Sequence, residues 1–179
     1  MPFLKPGASI SVLEAGMGTG LNAFLTFLEG EKFQASISYE AIEAFPLEPE
    51  FAVKLNFPEV LNVLHEEPVF HAIHQLPWGQ TFSLGTNFRF RKILARFEDY
   101  RPENAFDVVF FDAFAPGAQP EVWETAVLSV FYDVLRNGGA LVTYCAKGEV
   151  KRRLRGLGFQ VETLAGPPGK REMVRAIKL

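Results

Sequence analysis

The chain offers little for cross-linking, membrane insertion or metal binding. Cys145 is its single cysteine, which excludes an internal disulfide and is typical of a reducing cytosol. No apolar run approaches the roughly 18 residues of a membrane-spanning helix, and residues 1–7 lack a signal-peptide pattern. The three histidines, His65, His71 and His74, have no cysteine or acidic ligand set beside them, so we interpret them as polar loop residues. We therefore predict a cytoplasmic protein with no membrane segment and no metal site.

Length and charge indicate the number of domains and the kinds of partner that the protein can bind. A chain of 179 residues with 48% hydrophobic content suits one globular domain over 1–179. The net charge of −3 argues against generic nucleic-acid binding, but the charge is unevenly spread. Residues 1–67 carry −7, whereas residues 147–179 carry +6. Such asymmetry can steer a polyanion to one face, although a solvated basic helix would give the same pattern.

Strand and helix patterns alternate along the chain, as in βαβ units. The pattern predicts an α/β fold with a mostly parallel sheet. The predicted strands are 9–15, 35–43, 87–92, 106–112, 140–145, 159–165 and 172–178, the last two as an antiparallel pair. The predicted helices are 21–29, 47–55, 58–65, 121–134 and 147–157. Residues 71–85 read as irregular, and Asn137-Gly138-Gly139 reads as the C-terminal cap of a helix.

A glycine-rich turn between the first strand and helix is the most informative motif. Residues 14–20 read E-A-G-M-G-T-G, and a strand–glycine turn–helix unit is the ligand-binding corner of a doubly wound fold. Glycine lets a ligand approach the backbone closely. An acid two residues before the first glycine repels a pyrophosphate but suits a ligand with an ammonium and a sulfonium group. The motif therefore resembles motif I of the class I S-adenosylmethionine-dependent methyltransferases, which are Rossmann-like.

A second motif follows the apolar strand 106–112. It reads D-A-F-A-P at 112–116 and P-E-V-W at 120–123. Ligands of open α/β sheets bind beyond the carboxyl ends of the strands, where Asp112 lies. Its carboxylate can hydrogen-bond an amine and accept its proton. The aromatic Phe114 and Trp123 and the proline Pro116 can wall a flat base, whereas a purely structural Asp112 would only cap the next turn.

These segments together resemble one family. The pattern F-D-x-x-F-x-D-A-F-A-P-x-x-x-P-x-x-W, the Asn137-Gly138-Gly139 turn and G-K-R-E-M at 169–173 are similar to the methyltransferase domain of the tRNA 5-methylaminomethyl-2-thiouridine biosynthesis protein, the MnmC-like family. The similarity covers 12–177. It implies methylation of the aminomethyl group on a modified wobble uridine of tRNA, with S-adenosylmethionine as donor.

The resemblance also implies roles for individual residues. Glu14, Gly16, Gly18 and Gly20 would cradle the methionine part of the donor. Glu43 would bind the ribose hydroxyls, and Glu40 is a second candidate if the register shifts. Asp112 would face the transferred methyl group and the substrate amine. Lys170 and Arg171 would border the site and meet RNA.

The chain departs from the family pattern in three places. It starts almost at the first strand, which predicts a truncated or divergent covering segment. Arg96 stands near the place of a family acid, so backbone groups, Glu98 or Asp99 are the predicted adenine contacts. No fused flavin-dependent oxidoreductase domain is present, so earlier processing of the uridine would need a separate flavin-dependent or other tRNA-modifying enzyme.

Three functions stay open from the sequence. The first is a tRNA aminomethyluridine N-methyltransferase, which the basic C-terminal residues favour. The second is a methyltransferase of a small-molecule amine, because the fold and donor site do not fix the acceptor. The third is an inactive S-adenosylmethionine-binding module, which the short N-terminus keeps open.

Overall fold

A computed structural model of the chain describes residues 5–102, 104–166, 169 and 171–179. Within these residues one sheet contains eight strands: β1 Ser9–Ala15, β2 Ser36–Glu43, β3 Thr81–Leu84, β4 Phe88–Leu94, β5 Phe106–Phe111, β6 Leu135–Thr143, β7 Phe159–Ala165 and β8 Glu172–Lys178. The α-helices are α1 Leu21–Phe33, α2 Pro49–Ala52, α3 Phe57–Val60, α4 Glu67–Gln75, α5 Thr125–Asp133 and α6 Gly148–Gly156. Short 3₁₀ turns cover Leu64–Glu66, Phe97–Asp99 and Pro120–Trp123.

The strand order places the functional motifs at one edge of the sheet. The order is β3-β4-β2-β1-β5-β6-β8-β7, and the five inner strands from β4 to β6 are parallel. The chain runs outward from β1 through β2 to β4 and then returns to the other side of β1 as β5. This reversal opens a crevice beyond the carboxyl ends of β1 and β5, where ligands of such folds bind. The Asp112 amide donates to the Ala15 carbonyl at 2.9 Å and joins the two strand ends.

Two aromatic cores hold the layers together. On one face, Phe24 and Phe27 of α1 pack with Phe70 of α4 over the sheet. On the other face, Phe131 of α5 meets Phe111 with ring centroids 5.0 Å apart. Each such buried side chain contributes roughly 1.5–3 kcal/mol by leaving water. In the described residues no helix is both long and apolar enough to cross a lipid bilayer.

The fold class predicted from the sequence is confirmed. The sheet is mostly parallel, and β7 and β8 form the antiparallel pair around 166–171. The bounds of several elements differ from the predicted ones. The predicted helix 21–29 extends to Phe33, and the predicted helix 121–134 divides into the turn Pro120–Trp123 and the helix α5.

Two predictions about local structure are wrong. Residues 71–85 are not irregular, because they contain most of α4 and all of β3; His71 and His74 therefore lie on a helix and not in a loop. The Asn137-Gly138-Gly139 segment is not a helix cap, since α5 ends at Asp133 and the segment lies inside β6. There it accompanies a shift in the β5–β6 register, as at a β-bulge, where glycine is favoured.

Candidate active site

The glycine-rich turn lies against the start of the D-A-F-A-P segment. Gly16 has φ +91°, and a Cβ there would stand 2.9 Å from the Asp112 carbonyl oxygen, so any larger residue would separate the two strand ends. Gly18 has φ +49° and open space where its Cβ would be. Gly20, with φ 70°, caps the start of α1. The turn thus gives a ligand direct access to backbone at Gly18, as a donor cradle requires.

Glu43 ends β2 beside this turn. Its carboxylate accepts one hydrogen bond from the Gly18 amide at 3.0 Å and one from the Phe45 amide at 2.9 Å. The side chain is half-buried, so ribose hydroxyls can reach it. Glu40 is engaged elsewhere, since Arg91 lies 3.3 Å from its carboxylate and the Tyr100 hydroxyl donates to its other oxygen. The geometry therefore favours Glu43 over Glu40 as the ribose ligand, which stays a prediction.

Glu14 lies one layer below the cleft. It is fully buried, and its two oxygens accept hydrogen bonds from the Tyr39 hydroxyl and the Asn22 amide, both at 2.9 Å. Burial raises the pKa of Glu14 to about 8, against these two hydrogen bonds, which favour the carboxylate. We expected Glu14 to contact the donor, but the structure connects it to the cleft through Asn22.

Asn22 is a residue of the cleft that the sequence motifs did not predict. Its Nδ2 atom, in the first turn of α1, also donates to Asp112 Oδ2 at 3.0 Å. The position of Asn22 could have indicated a role in the cleft, because it is a polar residue in the otherwise apolar start of a helix, directly after the glycine turn. Asp112 itself is exposed at the carboxyl end of β5, as predicted.

The predicted aromatic wall is divided between surface and core. The Phe114 side chain is 74% exposed beside Asp112 and can receive a flat base. Trp123, in contrast, is fully buried, so its ring supports the loop from the core and does not face the cleft. Its indole N–H donates to the Phe114 carbonyl at 2.7 Å and fixes the loop. Pro116 is also buried, which leaves Phe114 as the exposed surface of this motif.

A second group of residues supports the glycine turn from α4. His74 Nε2 contacts the Thr19 carbonyl at 3.2 Å, and Lys92 donates to the His74 carbonyl at the end of α4. Lys92 also lies 4.7 Å from the Trp78 ring centroid, and burial lowers its pKa to about 8. Lys92 and Trp78 line a cavity of about 200 Å³ next to Glu43. Sequence reasoning missed this support because it treated 71–85 as irregular.

Basic side chains border the same edge of the sheet. Thr143 at the end of β6 pairs with Val174, so the N-terminus of α6 and the segment before β8 both reach this edge. Arg171 is exposed there, and Lys170 lies outside the described residues. Lys147, Arg152 and Arg155 are exposed on α6 or just before it. Among the described residues, Lys147, Arg152, Arg155 and Arg171 form no ion pair, so an anion can approach them.

The predicted adenine contacts lie beyond β4. Glu98 and Asp99 occupy the 3₁₀ turn Phe97–Asp99, close to the carboxyl end of that strand. The Arg96 guanidinium donates to Glu98 at 2.6 Å and lowers the pKa of this exposed carboxyl. Arg96 therefore pairs with the Glu98 carboxylate, and the backbone of the turn is hydrogen-bonded through the Asp99 amide and the Glu98 carbonyl. Among the predicted contacts this leaves the exposed Asp99 carboxylate for a base. These roles stay predictions.

The doubly wound sheet, the glycine turn and the acid at the end of β2 define the class of S-adenosylmethionine-dependent methyltransferases. A model of one family, described as S-adenosyl-L-methionine-dependent methyltransferase, matches residues 82–179. The chain belongs to that family, and S-adenosylmethionine is its cofactor.

Individual relatives agree with this class. The chain is 29% identical over 178 residues to the bifunctional protein MnmC of Nitrosospira multiformis, named for tRNA 5-methylaminomethyl-2-thiouridine biosynthesis. That match covers 96% of this chain and 29% of the relative. The MnmC protein of Leptospira interrogans is 31% identical over 172 residues, which are 91% of this chain and 26% of that protein. The chain thus spans between a quarter and a third of these relatives, and the predicted similarity to the MnmC-like family is confirmed.

Solved structures show the same fold. MnmC2 from Aquifex aeolicus has a TM-score of 0.69 at 22% identity, and the match covers 98% of this chain and 58% of that one. An S-adenosylmethionine-dependent O-methyltransferase from Thermotoga maritima has a TM-score of 0.58 at 16% identity, over 98% and 62% of the two chains.

We predict that Glu43→Ala weakens S-adenosylmethionine binding by at least about tenfold. Charge-assisted hydrogen bonds to two ribose hydroxyls are worth on the order of 1.5–3 kcal/mol each, and about 1.4 kcal/mol is tenfold in affinity. Titration calorimetry measures this, with Glu50→Ala as a control in the neighbouring exposed segment. An unchanged affinity in Glu43→Ala, with a loss in Glu40→Gln, would move the ribose site to Glu40.

We also predict that Glu14 makes folding depend on pH. The folded state keeps the Glu14 proton up to about pH 8, whereas the unfolded chain releases it near 4.5. Between these values the unfolded state binds fewer protons, so stability falls by about 1.4 kcal/mol per pH unit from this group. Glu14→Gln cannot titrate and should lose this part of the pH dependence in urea unfolding between pH 5 and 8. Parallel stability curves for wild type and Glu14→Gln would refute an un-ionised Glu14; Glu50→Gln is the exposed control.

Proposed function

We propose that the chain methylates the aminomethyl nitrogen of a modified wobble uridine in tRNA. The observation that carries this proposal is the exposed Asp112 carboxylate at the carboxyl end of β5, next to the exposed Phe114 ring. The same edge of the sheet carries Lys147, Arg152 and Arg171, which form no ion pair among the residues that the structure describes. An amine, a flat base and a polyanionic backbone are the three parts of such an acceptor. The names of the MnmC relatives point to the same substrate class.

The residues divide the chemical work. The donor, when bound, supplies an electrophilic methyl group on a sulfonium. Asp112 accepts a hydrogen bond from the acceptor N–H and turns the nitrogen lone pair toward that carbon. The N–C bond forms as the S–C bond breaks, and the sulfur keeps the electron pair. Asp112 then takes the extra proton from nitrogen and passes it to water, which its exposure allows.

The basic edge supplies affinity for RNA. Lys147, Arg152 and Arg171 lie on the side of the sheet where Asp112 ends β5, so phosphates bound there leave a nucleotide within reach of the cleft. The N-terminal half of the chain is acidic and would repel RNA. We further propose that the reaction is cytoplasmic, which suits the single buried Cys145, and that a tRNA-modifying enzyme supplies the aminomethyl group.

We predict that the purified chain transfers a methyl group from S-adenosylmethionine to tRNA that carries aminomethyluridine. Asp112→Asn should retain donor binding but lose about 10²–10⁴ in rate, the usual value of a positioned general base. The measurement is mass spectrometry of tRNA nucleosides, with calorimetry for the donor. Asp133→Asn is the matched control, because this exposed aspartate ends α5 at the opposite edge of the sheet.

The outcomes separate the three functions considered. Methylated uridine in tRNA supports the proposal. Methylation of small aliphatic amines but not of tRNA would favour the small-amine enzyme. Donor binding without transfer to either acceptor would indicate a binding module, and normal turnover by Asp112→Asn would show that Asp112 is only a turn residue.

The basic edge generates a separate prediction on tRNA affinity. The double variant Arg152→Ala/Arg171→Ala should weaken tRNA binding and flatten its log–log salt dependence by roughly one to two units, because each phosphate contact contributes about 0.7–0.9. Filter binding at several salt concentrations measures both quantities.

The matched control removes two lysines from the opposite edge. Lys5→Ala/Lys32→Ala makes the same change in net charge, and both side chains are exposed. It should leave the salt slope unchanged. Equal effects of the two double variants would mean that tRNA senses only the net charge, which contradicts a docking edge.

A further inference from the structure

We propose that Asn22 is a positioning residue for methyl transfer, whose side-chain amide links the buried Glu14 to Asp112 and fixes the carboxylate that receives the acceptor amine. This inference rests on the role proposed above for Asp112. Asn22 itself need not touch either substrate.

The geometry of Asn22 leaves it one orientation. Its single nitrogen, Nδ2, lies 2.9 Å from Glu14 Oε1 and 3.0 Å from Asp112 Oδ2. A side-chain amide nitrogen carries two N–H groups, so these two contacts use both donors. A flipped amide could still accept a hydrogen bond from a protonated Glu14, but its oxygen would oppose the Asp112 carboxylate and that bond would be lost. The bond to Asp112 therefore determines the orientation of the Asn22 amide.

Glu14 anchors the link from below. It is fully buried, and the Tyr39 hydroxyl, itself in the core, holds its other oxygen. Both side chains are buried on the neighbouring strands β1 and β2, so neither can move without disrupting the core. A rigid base of this kind passes its position through Asn22 to Asp112, which is exposed and would otherwise sample several rotamers.

The link leaves one Asp112 oxygen for chemistry. Among the residues described by the structure, Asn22 is the side chain that donates to Asp112, and it uses Oδ2. Oδ1 is then available to an acceptor N–H. Holding one oxygen fixes the direction of the other, and a misplacement of about 1 Å can cost roughly 10²-fold in rate.

The test uses Asn22→Asp, which has nearly the same shape but offers acceptors instead of donors. We expect kcat to fall about 10- to 100-fold, while donor affinity measured by calorimetry becomes no weaker. The ratio of variant to wild-type kcat should rise as the pH falls, because a protonated Asp at position 22 regains one O–H donor. A role in packing alone would not give this pH dependence.

Two further variants keep the result interpretable. In Asn22→Asp/Glu14→Gln the Gln amide can donate to the new Asp at every pH, so the contact to position 14 is kept. The value of kcat should stay low, since Asp112 still faces a carboxylate. Asn56→Asp is the matched control: the Asn56 amide also contacts a glutamate, Glu59 at 3.4 Å, but on the surface. It should leave kcat unchanged.

A measurement without turnover separates this inference from the proposed function. In side-chain amide NMR spectra, the Asn22 NH₂ signals should shift as the pH passes through the Glu14 pKa and should shift again in Asp112→Asn. If the Asn22 signals respond neither to pH nor to Asp112→Asn, the proposed contact of Asn22 with Glu14 and Asp112 is wrong, even in an active enzyme. Weaker donor binding with normal kcat in Asn22→Asp would also overturn it, by making Asn22 a donor ligand. Confirmed NMR shifts without any methyl transfer would leave the link standing and reject the proposed function.

Discussion

Three carboxyl groups meet at the carboxyl ends of neighbouring strands, and the structure has to keep their negative charges compatible. Glu14, Asp112 and Glu43 all point to the face of the sheet that α1 covers. The nearby charges of Asp112 and Glu43 add to the burial that raises the Glu14 pKa. The fold reduces the conflict because burial raises the Glu14 pKa to about 8 and because the Asn22 amide lies between Glu14 and Asp112. Glu43 is satisfied separately by the backbone N–H groups of Gly18 and Phe45.

This arrangement gives the cleft its electrostatic character. Because burial disfavours the charged form of Glu14, Asp112 and Glu43 are the two acids that can face a sulfonium donor and an amine acceptor. A third ionised carboxylate in the core would cost more in desolvation than it could add in attraction. The basic side chains stay at the rim, where they can meet phosphates without neutralising the two acids.

The backbone around the cleft depends on support from several elements. Gly16 allows β1 and β5 to approach, and α4 braces the glycine turn through His74 and Thr19. Beneath the D-A-F-A-P loop, Trp123 fills the core and fixes the carbonyl of Phe114. The exposed residues of the site are therefore supported by buried ones.

Local patterns were sufficient for the strands of the sheet other than β3, and for the strand ends that carry the exposed site residues. Apolar residues located β1 and β5, alternation located β2, and the motifs placed Glu43 and Asp112 at strand ends. The sequence could not show that Glu14 and Trp123 are buried. An acid before a glycine turn and a tryptophan after a proline-containing loop can each be either exposed to a ligand or buried in the core. The sequence also could not show the Asn22 link or the α4 support. Both depend on residues far apart in the chain, such as Asn22 with Asp112 and His74 with Thr19, whose contact follows only from the packed layers.

The most direct test of this account is a crystal structure of the protein with the demethylated donor product, S-adenosylhomocysteine. We expect its ribose hydroxyls within about 3 Å of the Glu43 carboxylate, its sulfur facing the side of Asp112 and Phe114, and the Asn22 amide still between Glu14 and Asp112. Ribose bound at Glu40, or a product seated away from the Gly16–Gly20 turn, would contradict the assignment of the whole site.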